Sequence, residues 1–202
     1  MTINSHLLVY GCGGHGRSVA DILIANEPDI SLCFIDDHAR ENEHLYGFPV
    51  LNVWNGSEIQ YFLAIGDNVK RANKLEQMDV ELLVSVISKT AHIGHMATIA
   101  KGVFVGNFAH IGPEAVIGIN TIVNNGAIIE HEVKVGAHCH IGPSATISGR
   151  CTIGDLVFVG VGTTIKDYIS VCSNVTIGAG ATVVMDIKEP GVYAGCPARK
   201  IR

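Results

Sequence analysis

Aromatic side chains are scarce in this chain: they make up 6% of its 202 residues, with a single tryptophan, although 48% of the residues are hydrophobic. A core built from large rings is thereby excluded, and Ile, Val and Ala must fill it instead. Positive charge is equally thin. With 14 Lys and Arg against 19 Asp and Glu, the formal net charge is -5 and no basic run or face occurs, which argues against a nucleic-acid footprint. No run approaches the roughly 18 apolar residues of a membrane span. The opening Met-Thr-Ile-Asn-Ser-His has no basic segment leading into an apolar one, so no secretory leader or membrane insertion is expected, and a cytoplasmic location is. Six cysteines, at positions 12, 33, 139, 151, 172 and 196, form no CxxC pair, so neither a metal site nor a disulfide framework is indicated.

What is present is a period. From Ile93 to Val183 an Ile or Val falls at every sixth position without a miss. Two residues earlier the side chain is usually small, as at Ala109, Ala127, Cys139, Ala145 and Cys151, and Gly often follows, as at Gly112, Gly142 and Gly154. Six fits neither the 3.6 of a helix nor the alternation of a long strand, so the unit is a short strand and a turn, repeated. One such unit cannot bury its aliphatic residue, whereas stacked coils align these residues into one apolar column, as in hexapeptide solenoids.

Ahead of the repeat the pattern is α/β. His6 to Tyr10 reads as a strand, the run Gly11-Cys12-Gly13-Gly14-His15-Gly16 as a turn, and Arg17 to Ala25 as a helix. Ser31 to Ile35 is a second strand ending in Asp36-Asp37. Phe48 to Val53 adds a short strand, Ile59 to Ile65 another, ending in Gly66-Asp67-Asn68, then a helix over Val69 to Met78 and an apolar run from Val80 to Ile87. This predicts a small parallel sheet covered on both faces, about half of a dinucleotide-binding fold. Two domains follow, 1–88 and 89–202, the second with a C-terminal tail where Asp186 to Gly191 breaks the repeat.

Three places carry chemistry. Gly11, Gly13 and Gly16 satisfy GxGxxG in a strand-to-helix context, where backbone N–H groups and the helix dipole favour a diphosphate. An acid about twenty residues on, Asp36 or Asp37, suits ribose hydroxyls or a base N–H. His15 either donates to a phosphate or sugar hydroxyl or is a surface histidine at a helix start, and Asp67 can cap the second helix. Within the solenoid, polar groups gather over Asn124 to Glu132. His131 follows Ile129 by two residues, which places it at a coil corner, and Glu132 can hold one imidazole nitrogen and raise the basicity of the other, the arrangement a general base needs. The alternative is a pair of solvated surface charges. His92 and His110, 18 residues apart in one phase, should stack; His95 and His138 have no evident partner.

Taken together, Tyr10 to Gly16, Phe34-Ile35-Asp36-Asp37, Ala64 to Asn68, Ile129-Glu130-His131-Glu132 and Gly195-Cys196-Pro197-Ala198-Arg199 resemble the left-handed β-helix, hexapeptide-repeat acetyltransferases of bacterial nucleotide sugars and sialic acids. The likeness is strongest to the UDP-4-amino-sugar N-acetyltransferases of bacillosamine biosynthesis and covers nearly the whole chain. It implies an α/β, half-Rossmann-like domain followed by a left-handed parallel β-helix, homotrimers with acetyl-CoA in intersubunit clefts, no metal, and a role in glycan biosynthesis. It implies further that His131 is the base and Glu132 its partner, with Gly149 offering an N–H to the thioester oxyanion and Asn124 beside the same cleft. His140, Val161 and Ala179 would contact CoA, and Gly13, Gly14, His15, Asp36, Asp37 and Gly66 would bind the nucleotide sugar. Asp67 departs from the pattern, an amide being more usual there. Three other readings remain: O-acetylation of sialic acid or a related sugar, an NAD-dependent oxidoreductase, and a nucleotide-binding solenoid without catalysis.

Overall fold

The structure is a computed structural model that describes residues 6–54 and 58–202, so most of the N-terminal segment read above for a leader lies outside the described residues. Two compact units divide at Val86/Ile87, close to the 88/89 boundary read from the change of period.

The first unit contains β1 (His6–Tyr10), α1 (Gly14–Asn26), β2 (Ser31–Ile35), β3 (His44–Leu45), β4 (Phe48–Leu51), β5 (Tyr61–Leu63) and α2 (Asn68–Leu75). The sheet order is β3-β4-β2-β1-β5. All pairings are parallel except β3 with β4. Leu7, Leu8 and Val9 are buried in succession, as are Tyr61, Phe62 and Leu63; consecutive burial means that both faces of the sheet are covered. From β1 the chain runs to β2 on one side and to β5 on the other, which opens a crevice at the carboxyl ends of β1 and β5.

Two details differ from the sequence reading. β3 is an additional strand, joined to β4 through Tyr46 and Gly47, both at positive φ; such a two-residue turn suits a hairpin. Val80 to Ile87 does not form one strand. Asp79 caps a short 3₁₀ turn at Val80–Leu82, Leu83 makes an isolated bridge to Tyr61, and only Val86–Ile87 of this run forms a strand.

Along the repeat of the second unit, from His92–Ile93 to Thr164–Ile165, short strands pair in parallel with the strand 18 residues on, as in His110 with Ile128, Val116 with Lys134 and Ile122 with His140. Eighteen residues therefore make one coil of three sides, and Ile93 to Val183 makes five coils. Ile111, Val123, Ile129, Ile141, Ile147, Val159 and Ile165 are fully buried in the column, each stabilising it by roughly 25 cal/mol for every Å² of apolar surface removed from water. The interior hydroxyls are satisfied: Thr121 Oγ1 donates to the Gly136 carbonyl at 2.9 Å and accepts from the Cys139 N–H at 3.0 Å. Past Val183 the sheet continues, with Gly191–Ala194 pairing in parallel with Val175–Ile177 and then antiparallel with Arg199–Lys200. Among the described residues no helix is long and apolar enough to cross a membrane.

Candidate active site and nucleotide crevice

The crevice of the first unit begins at the Gly-rich turn. Gly11 has φ +101, and a Cβ there would fall 2.7 Å from the Ala64 carbonyl oxygen; at Gly16 it would fall 2.2 Å from that of Gly11. These two glycines are demanded by close packing of turn, helix and β5. Gly13, Gly14 and Gly66, in contrast, face open space. Gly13 is the N-cap of α1 and supplies no side-chain cap, so the first turn of that helix offers N–H groups to an approaching anion.

The two aspartates differ. Asp36 accepts from the Cys12 N–H at 3.0 Å and from the His38 N–H at 3.1 Å, so it braces the Gly-rich turn. Burial pushes its carboxyl up, but those backbone hydrogen bonds, together with the Cys12 thiol and the charge of His38, hold it below its ordinary value. Asp36 and Asp37 both line a cavity of about 420 Å³, together with Tyr10, Lys70, Asn73 and Lys74 among others. Lys74 Nζ lies 4.7 Å from the Tyr10 ring centroid. Gly13, Gly14, His15 and Gly66 do not line this cavity. His15 turns its ring toward Phe62, at 6.4 Å between centroids. Asp67 Oδ1 accepts from the Lys70 N–H at 2.8 Å and caps α2, which accounts for a carboxylate at that position. The α2 wall was not anticipated. Its signal was available, since Lys70, Asn73, Lys74 and Gln77 recur at the spacing of one helical face.

On the solenoid, His131 Nδ1 lies 3.0 Å from Glu132 Oε2. Both side chains are about half exposed, at 47% and 42%. Glu132 turns at φ 58, and its backbone N–H donates to the Pro113 carbonyl at 2.9 Å. The imidazole rests over Gly149: a Cβ at that position would stand 2.6 Å from Nε2 and 2.7 Å from Cε1. Glu132 is also bonded by Arg150, whose Nε approaches Oε2 at 2.9 Å. Its carboxyl is held below its ordinary value, first by the hydrogen bond to His131, against some desolvation, and then by Arg150. Arg150 was not among the residues expected, although it lies one coil from Glu132.

The remaining candidates occupy another edge of the prism. Asn124 and His140 meet, Nδ2 to Nε2, at 3.2 Å, and the His140 ring stands edge-on to Phe158 at 5.2 Å. Val161 and Ala179 belong to the corner that Asn124 opens, both exposed. The flat side carrying Ile128 and Thr146 separates that corner from the one bearing His131, so within one chain Asn124 groups with His140 and not with His131. His92 and His110 stack at 5.1 Å and 6°. His138 does have a partner, Asn120, with Nδ2 3.0 Å from Nδ1; the two are separated by one coil. Cys139 and Cys151 are buried thiols. Among the described residues no group of His, Cys, Asp and Glu could hold a metal ion.

Comparison with known proteins bears on both units. Residues 6–78 match the family model of the PglD N-terminal domain. Curated protein sequences give no match. Among solved structures, the acetyltransferase domain of PglB from Neisseria gonorrhoeae is 31% identical, with a TM-score of 0.91 over 98% of this chain and 100% of that one. The same domain solved in complex with acetyl coenzyme A matches equally, at TM-score 0.91 and 31% identity over the same shares. A histidine-to-alanine mutant of GDP-perosamine N-acetyltransferase from Caulobacter crescentus, in complex with CoA and GDP-perosamine, is 27% identical with a TM-score of 0.88 over 99% of each chain. A PglD-type α/β domain, a three-sided hexapeptide solenoid and end-to-end likeness to these enzymes lead to one conclusion: the chain belongs to the hexapeptide-repeat family of sugar acetyltransferases.

Proposed function

We propose that the protein transfers the acetyl group of acetyl-CoA to the 4-amino group of a UDP-linked amino-deoxy sugar, with His131 as general base, in a homotrimer whose sites lie between protomers. The observation that carries this reading is the His131–Glu132 pair on an exposed edge, its ring seated over Gly149. Glu132 accepts from Nδ1–H, which leaves the Nε2 lone pair to take a proton. The sugar amine attacks the thioester carbonyl, its proton passes to Nε2, and the tetrahedral adduct collapses with loss of the CoA thiolate, which recovers the proton as thiol. The products are an acetamido sugar and CoA. Base assistance supplies roughly 10² to 10⁴-fold, and holding the reactants in place must supply much of the rest. Gly149 N–H is the donor assigned to the oxyanion.

The division of candidates between two prism edges supports a site shared by neighbouring copies. His140, Asn124, Val161 and Ala179 of one protomer would face the His131 edge of the next, with acetyl-CoA between them. Relatives captured with acetyl-CoA, or with CoA and a nucleotide amino sugar, support both ligands. The first domain would hold the nucleotide through the turn at Gly13, Gly14 and His15, through Asp36 and Asp37, and through Gly66, with Tyr10, Lys70 and Lys74 added from the cavity wall. Mass spectrometry of products formed from acetyl-CoA and a panel of UDP- and GDP-amino sugars tests the proposal. Expected is one acetyl group gained on nitrogen of a UDP-4-amino sugar; acetylation confined to GDP sugars or to hydroxyl groups would overturn it.

A further inference from the structure

One corner of the solenoid carries a stack of side chains that runs past the candidate base. Its αL residue recurs every 18 positions, at Glu132, Arg150 and Tyr168, with φ of 58, 61 and 60. Successive coils are spaced by about 4.8 Å, so these side chains stand one above another. Arg150 Nε meets Glu132 Oε2 at 2.9 Å, on the same oxygen that faces His131 Nδ1 at 3.0 Å. At its other end Arg150 Nη1 donates to the Tyr168 hydroxyl, and the guanidinium carbon lies 5.5 Å from the Tyr168 ring centroid. Tyrosine, guanidinium, carboxylate and imidazole form one chain of contacts.

A glutamate 42% exposed on a corner has three rotatable bonds, and holding it against one neighbour costs side-chain entropy. A planar guanidinium anchored at both ends restrains it far better than a mobile point charge. Resting on the reading of His131 as base, we propose that Arg150, held by Tyr168, is a positioning residue: it fixes the Glu132 carboxylate against Nδ1 and so keeps the imidazole in the tautomer whose Nε2 accepts the proton. Other charged groups nearby do not substitute for it. Glu130 accepts from the His131 backbone N–H at 3.4 Å, and Glu114 and Lys134 line the depression of about 370 Å³ beside Glu132 and Arg150.

The test is ¹⁵N NMR of the full-length protein labelled at histidine, without substrate, read alongside steady-state kinetics. In the parent the His131 ring is held as the Nδ1–H form. Arg150→Met keeps the stem, removes every donor, and is expected to release the ring into a mixture of tautomers while kcat falls roughly tenfold and KM for acetyl-CoA stays put. Tyr168→Phe should give a smaller change in the same direction, and Arg150→Lys should restore charge without restoring the tautomer. An unchanged tautomer balance in Arg150→Met, with the fold intact by circular dichroism, would overturn the proposal. Because the NMR signal does not depend on turnover, the two readings separate: a shifted tautomer in Arg150→Met beside full activity in His131→Ala would uphold the positioning role and refute the base.

Discussion

Replacing Gly149 by Ala adds one methyl group under the candidate base and nothing else. The new Cβ would stand 2.6 Å from Nε2, 2.7 Å from Cε1 and 3.2 Å from Cδ2 of His131, where ordinary contact begins near about 3.5 Å. The ring must therefore retreat by roughly 1 Å, and a misplacement of that size costs up to about 10²-fold in rate. The obstacle is the end of a half-exposed side chain, so the fold should barely notice, with a stability change within about 0.5 kcal/mol. Gly112→Ala is the control of opposite character. Its Cβ would meet the His131 backbone N at 2.6 Å and the Glu130 carbonyl carbon at 2.7 Å, and overpacking against backbone costs roughly 1–3 kcal/mol. Thiol release with saturating substrates, set against thermal melting, separates the two: Gly149→Ala should lose kcat at an unchanged Tm, and Gly112→Ala should lose Tm. Parent-like turnover in Gly149→Ala would refute the placement of the ring.

Other consequences can be checked directly. Asp36→Asn should lower Tm as well as raise KM for the nucleotide sugar, because Asp36 holds the Cys12 and His38 N–H groups, whereas Asp37→Asn should raise KM alone; the reverse pattern contradicts the division of roles. Burial, and then the hydrogen bond to Asp36 and its charge, push the Cys12 thiol up to about 11. A raised value favours the protonated form, so at pH 8 only about one Cys12 in a thousand is thiolate, and peptide mapping after iodoacetamide should find exposed Cys196 modified first, with Cys12 following only as pH nears 11. Ile147→Ala, at a fully buried site in the column, should cost about 2–5 kcal/mol in denaturant unfolding. A smaller loss would mean that the column relaxes around the gap.

The solenoid was legible because each coil must place an aliphatic side chain inward at fixed phase, so a six-residue period survives in the sequence wherever the core does. The same phase located His131 on a corner and the stacked pair His92 and His110. Contacts between side chains on a corner were harder to see, since the Glu132–Arg150 and Asn120–His138 pairs depend on the 18-residue coil and not on neighbours in sequence. In the first domain β1, α1 and β2 were marked by apolar runs and glycines. The hairpin strand His44–Leu45 was not, because two residues of pairing leave no pattern beyond Gly47. Asp36 shows the limit at a ligand site: spacing placed it at the strand end, but only geometry reveals that its two oxygens serve the protein's own backbone.

The account stands most directly on the rate of CoA release by His131→Ala, with acetyl-CoA and the accepted amino sugar both saturating. If the imidazole removes the proton from the attacking amine, kcat should fall by roughly 10² to 10⁴-fold while the protein still melts as the parent does. Turnover at the parent rate would contradict it.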